Sequence, residues 1–333
     1  MAEINTLFSS PLLTVTNPHF NREWQLPAIL PGPMEGVMRG CFCRAASELG
    51  LISGWMTPFI RISSGIPRLS VLKRHLAEFT AGGLPVIVQL MGTDPEALAR
   101  TAELLIHCDI AGIDINFACP SSVVVRHGGG GGMLRQPEQM VAILQRLRPI
   151  CTGISLSAKL RTGFTDPAEM HNFIPMVIGC GVDFIAVHFR TVKEVYLAAS
   201  GRDERLRQAV ALAVNIPVLG SGDIYGADDV AAVSACGCRG IMAARGWLRD
   251  PWLLRRLGGD ANSPSAATGR RKMIEKMVEL ARLCPEKYWS RSAMLEAAVF
   301  MWGAKHPVFR RLILLSAEQW LRAELWSQAW SGP

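Results

Sequence analysis

"IAGIDINFACP" (residues 110–120) is a short apolar run that ends in polar side chains and a proline. Similar runs recur along the chain in LPVIVQLMG (84–92), GISLSAKLRTG (153–163), DFIAVHFRT (183–191), IPVLGSGDI (216–224) and CRGIMAARG (238–246). None of them alternates strictly between apolar and polar residues, which is the pattern of parallel strands whose two faces are both buried. We therefore predict that these runs are strands of one parallel sheet.

Amphipathic segments lie between these strands. They include DPEALARTAELLIHC (94–108), QPEQMVAILQRLRPI (136–150) and GADDVAAVSACG (226–237). In the first of them Asp94 is a favourable N-cap, and Pro95 suits the first helical position. Alternation of strand and helix over roughly 230 residues predicts a (β/α)8 TIM barrel. A doubly wound sheet is disfavoured because no G-x-G-x-x-G motif follows the early strands.

The rest of the chain flanks this barrel. We predict an N-terminal arm over residues 1–25, the barrel over 26–257, a linker rich in Gly, Ala, Ser and Pro over 258–268, and an all-helical C-terminal domain over 269–333. The last segment has apolar residues at helical spacing, and its aromatic residues are interpreted as packing side chains rather than as nucleotide-stacking ones.

The composition limits the class of protein. With 49% apolar residues and a mean hydropathy of +0.21, the chain can bury a large core, and global disorder is excluded. No apolar run reaches about 18 residues and no secretory signal is recognisable, so we expect no membrane span and a cytoplasmic location. The nine cysteines are expected to be reduced thiols, and their C-x-C pairs predict no metal site. A net charge of +7, concentrated in the last third, favours a polyanion such as RNA.

Polar residues gather at the C-terminal end of every predicted strand, which is the end where barrels build their active sites. They are Gln89, Asn116 and Cys119, Lys159 and Arg161, His188 and Arg190, Ser221 and Asp223, and Arg245. One polar strand end means little, but the same placement on all of these strands predicts an active site there.

A series of motifs in these regions resembles a known family. The motifs are PGPMEGV (31–37), VIVQLMG (86–92), GIDINFACPS (112–121), GGGGGMLRQP (128–137), SAKLRTG (157–163), VHFRTVKEVY (187–196), IPVLGSGDI (216–224) and IMAARGWL (241–248). Taken in order, they resemble the tRNA-dihydrouridine synthases, FMN-dependent barrels that reduce uridine in RNA. The resemblance runs from Leu30 to Leu257 and is weaker in the helical tail. It implies FMN as cofactor, NADPH as reductant and RNA, above all tRNA, as partner, and the basic character makes a monomer on RNA the default expectation.

The resemblance also assigns roles to residues. The implied cofactor contacts are Pro33, Met34, Glu35, Gln89, Lys159, His188, Ser221, Gly222, Asp223, Ala244 and Arg245. The last of these can fork onto phosphate oxygens beside the backbone N–H groups of the final two strand ends, where barrels commonly bind phosphate.

Cys119 matches the catalytic cysteine of the family. It would deliver a proton to uracil C5 while a hydride from the flavin reaches C6, and a thiol with a pKa of about 8.5 suits that task. Asn116 would hold the uracil edge, and Arg161 and Arg190 are assigned to the substrate. The glycine run 128–132 would give clearance for a flipped-out base.

Four positions depart from the family pattern. Ser122 stands in place of a lysine, Ser221 in place of an asparagine, Phe189 in place of a glycine, and Ala244 in place of another glycine. The changes at Ser221 and Ala244 should be tolerated, because the phosphate contacts there are mostly backbone. Ser122 and Phe189 are expected to face the substrate, so they bear on RNA recognition more than on flavin binding.

Two alternatives follow from these departures. The chain could be a diverged family member that binds FMN or RNA without the reaction, or with a changed substrate. It could also be another FMN barrel, such as a dihydroorotate dehydrogenase, which likewise carries an asparagine and a Cys-Pro late in a strand. The PMEGV turn and the basic helical tail disfavour the second alternative.

Overall fold

The chain folds around one parallel sheet, seen in a computed structural model that describes residues 7–63, 65–288 and 290–320. The strands are β1 (Leu13–Asn17), β2 (Arg22–Leu26), β3 (Ile29–Pro31), β4 (Trp55–Met56), β5 (Ile60–Ile62), β6 (Val86–Gly92), β7 (Gly112–Asn116), β8 (Ser155–Arg161), β9 (Phe184–His188), β10 (Val218–Ser221) and β11 (Gly240–Ala243). The order in the sheet is β3-β11-β10-β9-β8-β7-β6-β4, with β5 also paired to β6. Because β11 pairs in parallel with β3, the sheet curls into a nearly closed barrel, which confirms the predicted fold class.

Helices connect the strands and continue beyond them. Those of the barrel are α1 (Cys41–Glu48), α2 (Leu69–Thr80), α3 (Pro95–Leu105), α4 (Ser122–Arg126), α5 (Pro137–Leu147), α6 (Met170–Gly179), α7 (Arg202–Ala213), α8 (Ala227–Ala235), α9 (Arg245–Arg249) and α10 (Leu253–Leu257), with 3₁₀ turns at Gly130–Arg135 and Pro167–Glu169. After the barrel come α11 (Ala266–Leu283), α12 (Pro285–Tyr288), α13 (Arg291–Trp302), α14 (Pro307–Leu312) and α15 (Ala317–Trp320). None of the helices in the described ranges combines the length and apolar character needed to cross a bilayer.

The predicted strands coincide with β6 to β11. The predicted N-cap of α3 is also present, since the Asp94 carboxylate accepts hydrogen bonds from the backbone N–H groups of Glu96 and Ala97 at 2.9 and 3.4 Å. The strands β3, β4 and β5 escaped prediction because each has only two or three residues, too few to show a pattern.

An antiparallel hairpin of β1 and β2 closes the N-terminal end of the barrel. Trp24 and Leu26 of β2 are buried in one cluster with strand residues that point into the barrel, among them Ile87 and Phe184. The Asn17 side chain donates to the backbone oxygen of Ile110, just before β7, at 2.9 Å. The described part of the predicted arm is therefore built into the barrel floor, and residues 1–6 lie outside the described residues.

The barrel interior changes from apolar to polar along the strands. Ile87 on β6 belongs to the apolar floor cluster, whereas Gln89, two residues further, is buried among polar groups. Asp114 on β7 and Ser157 on β8 are buried at the same level, as their strand register requires. The polar level lies directly beneath the C-terminal ends of the strands, so these buried groups support the predicted active site from below.

The helices after the barrel pack against its side. The helix α11 begins at Ala266, three residues before the predicted start of the helical domain at residue 269, because the Ser265 hydroxyl caps the backbone N–H of Thr268 at 3.4 Å. It packs on α1, and α13 packs on α9, which follows the last barrel strand. This contact carries α13 to the C-terminal end of the barrel. Residues 321–333 of the predicted helical domain lie outside the described residues.

Candidate active site

A cavity of about 500 Å³ opens at the C-terminal ends of the barrel strands. Its walls contain all but two of the predicted site residues, namely Pro33, Met34, Glu35, Asn116, Cys119, Lys159, Arg161, His188, Ser221, Gly222, Asp223, Ala244 and Arg245. Gln89 and Arg190 do not line it. The volume lies in the range of cavities that hold small ligands and cofactors.

The Cys119 thiol stands on a loop that Asn116 holds in place. The Asn116 side-chain oxygen accepts hydrogen bonds from the backbone N–H groups of Ala118 at 3.0 Å and Cys119 at 2.8 Å. Its amide nitrogen donates to the Gln89 side-chain oxygen at 2.8 Å. Asn116 lines the cavity, and its hydrogen bonds within the protein hold the loop. The prediction that its amide binds the uracil edge did not include this structural role.

Gln89 lies one layer below the cavity, and its predicted contact with the flavin stays a prediction. Its side chain has no exposed surface, and its amide nitrogen donates to the Asp114 carboxylate at 2.8 Å. The Ser157 hydroxyl donates to the other oxygen of that carboxylate at 2.7 Å. Strand alternation points Gln89 into the barrel, where it links Asp114 to Asn116 and so supports the Cys119 loop from beneath.

Burial perturbs the titration of the groups around the thiol. Burial raises the pKa of Cys119 and outweighs a backbone hydrogen bond at Ser121, which lowers it; the Glu35 carboxylate adds a smaller increase, and Lys159 and Arg161 add smaller decreases. The thiol is therefore protonated at neutral pH. Burial also raises the pKa of Asp114 to about 6, and burial together with the Arg161 charge lowers the pKa of Lys159 to about 8.

Arg161 ties three backbone segments together on the cavity wall. Its guanidinium donates to the backbone oxygens of Ala118 at 2.8 Å, Thr191 at 2.8 Å and Val195 at 2.9 Å. Because Ala118 immediately precedes Cys119, Arg161 fixes the thiol loop from a second side. The contact of Arg161 with the substrate stays a prediction beside these observed backbone contacts.

Arg190 lies behind the cavity wall, and its predicted contact with the substrate stays a prediction. Its guanidinium donates to the backbone oxygen of Leu197 and to the Asp223 carboxylate, whose other oxygen is paired with Arg245 at 2.6 Å. Burial raises the pKa of Asp223, but the hydrogen bond and charge of Arg190 and the charge of Arg245 outweigh it and lower the pKa. Asp223 thus orients two arginines and stays ionised between them.

His188 is a neutral imidazole on the cavity wall. Burial lowers its pKa well below the usual range, and the positive charges of Arg161, Lys159, Arg190 and Arg245 add to this effect. Its Nδ1 accepts the backbone N–H of Arg190 at 3.2 Å. The proton of the neutral ring is then on Nε2, where it can be donated to a ligand oxygen.

The glycine run packs against the Cys119 loop, and its predicted role as clearance for a flipped-out base stays a prediction. Gly130, Gly131 and Gly132 are buried, and the backbone N–H of Gly131 donates to the Cys119 oxygen at 2.9 Å. A Cβ on Gly131 would come within 2.5 Å of the Val192 side chain, and Gly130 has φ +51° and meets the Cys119 Cβ. The glycines let two backbone segments approach each other and support the thiol loop.

Phe189 and Ser122 do not line the cavity either, contrary to the expectation that they face the substrate. Phe189 is 2% exposed and stacks on the His188 ring with centroids 5.6 Å apart, next to the backbone of Gly222. Ser122 begins the short helix α4 on the surface. Phe189 fills the space behind His188, and neither of these two departures from the family pattern places a side chain on the cavity wall.

Four aromatic side chains at the cavity were missed by the sequence analysis: Phe59, Tyr196, Tyr225 and Phe300. Tyr196 lies over two guanidinium groups, with its ring centroid 5.5 Å from Arg161 and 5.1 Å from Arg245. They come from loops and from α13, where no strand pattern marks them. Asp114 was missed as well, although its position two residues before Asn116 places both on one face of β7.

The site fits an anionic, phosphorylated cofactor. Three of the four cations that act on His188, namely Lys159, Arg161 and Arg245, line one small cavity, and the carboxylate of Asp223 is shared by Arg190 and Arg245. Arg190 adds a further positive charge from behind the cavity wall. Phosphate oxygens are acceptors that would balance this excess of positive charge and of donors.

Comparison with known proteins agrees with this geometry. Residues 30–306 match the family model described as dihydrouridine synthase (Dus). The chain is 34% identical to tRNA-dihydrouridine(16) synthase of Ralstonia nicotianae over 72% of its own length and 75% of the relative's, and 33% identical to that of Cupriavidus necator over 68% and 72%. Among solved structures, an old yellow enzyme homologue from Zymomonas mobilis superimposes with a TM-score of 0.56 at 11% identity, covering 77% of this chain and 93% of that one. The last likeness concerns the barrel fold alone.

Proposed function

The chain belongs to the dihydrouridine synthase family, and we propose that it reduces a uridine of tRNA to 5,6-dihydrouridine with FMN as cofactor and NADPH as reductant. Membership of this family makes it a flavin-dependent oxidoreductase. Both relatives described above are named for position 16 of tRNA, which supports position 16 as the target.

The cavity at the strand ends is the site for FMN in this proposal. Lys159 and His188 would contact the ring system, while Arg245 and the backbone of Gly222 would hold the phosphate. When bound and reduced, FMN supplies the hydride that reaches C6 of the uracil. A protonated lysine beside the ring stabilises the negative charge of the reduced flavin. That charge in turn favours the protonated form of Lys159.

Cys119 supplies the proton. As C6 of the uracil accepts a hydride, C5 must take up a proton to complete the reduction of the C5=C6 bond. The Cys119 S–H bond breaks and the new C5–H bond forms, leaving a thiolate that is reprotonated from solvent. Because burial raises the pKa of Cys119, the thiol is still protonated when the substrate is bound, and it can donate this proton during the reduction.

The observation that carries the proposal is the position of this protonated thiol. Cys119 lies on the wall of the cation-rich cavity and is fixed there by Asn116 and by the anchor of Arg161 at Ala118. A proton donor next to a site for a phosphorylated redox cofactor is what the reduction of uracil requires.

The RNA would approach the open end of the barrel. The barrel predicted over residues 26–257 would bind FMN, and the helical segment predicted over 269–333 would contact tRNA, consistent with the basic residues of the last third. We further propose that the protein works as a monomer in the cytoplasm, where its substrate is found.

Expression in a host that lacks its own dihydrouridine synthases tests the proposal. Nucleoside mass spectrometry of the tRNA should show dihydrouridine, and mapping should place it at position 16. The Cys119→Ala variant, expressed to the same level, should leave the tRNA unmodified. Absence of dihydrouridine with a folded, flavin-loaded wild-type protein would overturn the proposed activity.

A further inference from the structure

A second cavity, of about 330 Å³, adjoins the site described above. It lies between α9 of the barrel and the helices after it, and it shares Arg245 and Phe300 with the first cavity. Its other prominent wall residues are Arg249, Arg270, Trp302 and His306. The two cavities are therefore direct neighbours.

Two arginines bring positive charge to this cavity without a carboxylate partner. Among the ion pairs found in residues 7–63, 65–288 and 290–320, none includes Arg249 or Arg270. The Arg270 guanidinium donates to the backbone oxygen of Arg249 at 2.7 Å, and its Nε is buried with no hydrogen-bond partner. Arg270 thus keeps an unused buried donor, and both arginines line the second cavity.

The two carboxylates near this region form ion pairs or hydrogen bonds with other residues. Asp250, the carboxylate that acts on Arg270, is paired with Arg256 and accepts the backbone N–H of Trp252 at 3.2 Å. Asp223, on the side of the first cavity, is shared by the two arginines described above. Neither carboxylate neutralises Arg249 or Arg270, so the second cavity retains the charge of two cations.

Aromatic side chains line the same cavity. Trp302 lies 5.9 Å from the Arg270 guanidinium, measured from Cζ to the ring centroid, and Phe300 stands at the border with the first cavity. Aromatic side chains beside two arginines suit a purine nucleotide, whose base can stack on the rings while its phosphate binds the guanidinium groups. The cavity therefore has the donors for a phosphate and a surface for a base.

We propose that the second cavity binds the 2′-phosphate and adenosine end of NADPH, an inference that rests on the proposed function. A phosphate monoester carries a charge of about −1.5 to −2 at neutral pH. A phosphodiester of RNA carries a single negative charge, so two arginines that line one cavity match the monoester better. Arginine is also the residue that commonly accommodates the 2′-phosphate in NADP-binding sites.

Reduction of the flavin by NADPH in the absence of RNA tests this site separately from catalysis on RNA. Anaerobic bleaching of the flavin absorption gives the apparent affinity for NADPH and for NADH. In Arg270→Ala and in Arg249→Ala, the preference for NADPH over NADH should fall by ~10-fold, as expected for loss of one charge-assisted hydrogen bond. Arg271→Ala is the matched control, because Arg271 is adjacent on α11 and paired with Glu275, outside the cavity.

Binding of 2′,5′-ADP provides a readout that needs neither flavin nor turnover. Calorimetric titration of the apoprotein should show binding that is weakened by Arg270→Ala and Arg249→Ala and unchanged by Arg271→Ala. Arg249 is exposed, so its replacement leaves the fold intact even if the change at Arg270 does not.

An unchanged cofactor preference in both arginine variants would overturn the inference. So would weaker tRNA binding with unaltered NADPH kinetics, since the cavity would then serve the RNA backbone. If the protein binds no flavin, the proposed function fails, and the titration with 2′,5′-ADP still decides whether the second cavity holds the nucleotide.

Discussion

The side-chain oxygen of Asn116 accepts the backbone N–H of Cys119 at 2.8 Å, so the residue that ends β7 sets the position of the thiol three residues later. The same oxygen accepts the N–H of Ala118 at 3.0 Å, and the amide nitrogen is bonded to Gln89. The predicted catalytic acid is therefore positioned by a chain of buried hydrogen bonds that begins at Asp114.

Replacing Asn116 by alanine should displace the thiol. Two buried N–H groups would lose their acceptor, and the loop that carries Cys119 would shift. We expect kcat for dihydrouridine formation to fall by ~100-fold, because small displacements of a reacting group have effects of this size. Flavin content, measured by absorption, should stay the same. Wild-type kcat in Asn116→Ala would show that the loop needs no such support.

Asp114 should set an acidic limit to activity. Its pKa is raised by burial to about 6, so its carboxyl takes up a proton as the pH falls through about 6 and then lacks an acceptor for Ser157 or Gln89. The rate of the single-turnover reaction should decline below this pH. In Asp114→Asn, the rate should be lower than that of the wild type at neutral pH, and the acidic decline should be absent. An identical profile in wild type and variant would exclude Asp114 as the titrating group.

The sequence contained most of the barrel because its strands are long enough to show a pattern. The runs that became β6 to β11 carry buried residues on both faces, and the polar residues at their ends meet at one cavity as parallel pairing requires. The hairpin of β1 and β2 was not predicted, because its role depends on Trp24 and Leu26 fitting into the barrel floor, a contact with residues far along the chain.

Side-chain direction was the part of the site that the sequence could not determine. Gln89 and Arg190 do occur near strand ends, but tertiary partners, Asp114 and Asp223 respectively, turn them away from the cavity. The glycine run looked like space for a ligand, whereas its absent side chains make room for the backbone of Cys119 and for Val192. The sequence of a glycine run does not show which other segment of the chain packs against it.

Lys159 should take up a proton when FMN binds. Burial and the Arg161 charge lower its pKa to about 8, so about half of the free protein lacks this proton at pH 8. A bound anion favours the charged lysine and raises that pKa, so binding at pH 8 should be accompanied by uptake of up to about half a proton. Calorimetric titration of the apoprotein with FMN in two buffers of different ionisation enthalpy measures the uptake.

The Lys159→Met variant is the control for this prediction, because methionine has similar length and does not titrate. It should bind FMN more weakly and without the proton uptake seen in the wild type. Equal uptake in both proteins would assign the proton to another group of the site.

Phe189→Gly, which restores the residue usual in the family, should not improve uridine reduction. Phe189 is buried behind His188 and does not line the cavity, so its removal leaves a void beside the ring. We expect the free energy of unfolding to fall by roughly 4 kcal/mol, in the range found for large-to-small changes in protein cores. Denaturant unfolding measures this loss, and a gain in kcat for tRNA would contradict the position assigned to Phe189.

Ser122→Lys, the other reversion toward the family pattern, provides a contrast. Ser122 lies on the surface at the start of α4, so the change should alter neither the free energy of unfolding nor FMN binding. A large loss of stability in this variant would mean that the helix start is more constrained than its exposure suggests.

The thiol of Cys119 is the centre of the proposed reaction, and a single turnover tests it directly. Wild-type enzyme loaded with FMN is reduced with dithionite, mixed anaerobically with unmodified tRNA, and the tRNA is digested for nucleoside mass spectrometry. We predict that the wild type adds two hydrogens to the uridine at position 16 with a rate that stays constant from neutral pH upward until it falls above the raised pKa of Cys119. Cys119→Ala should bind FMN and tRNA equally well and form no dihydrouridine, whereas dihydrouridine formed at the wild-type rate by Cys119→Ala would contradict the role of this thiol.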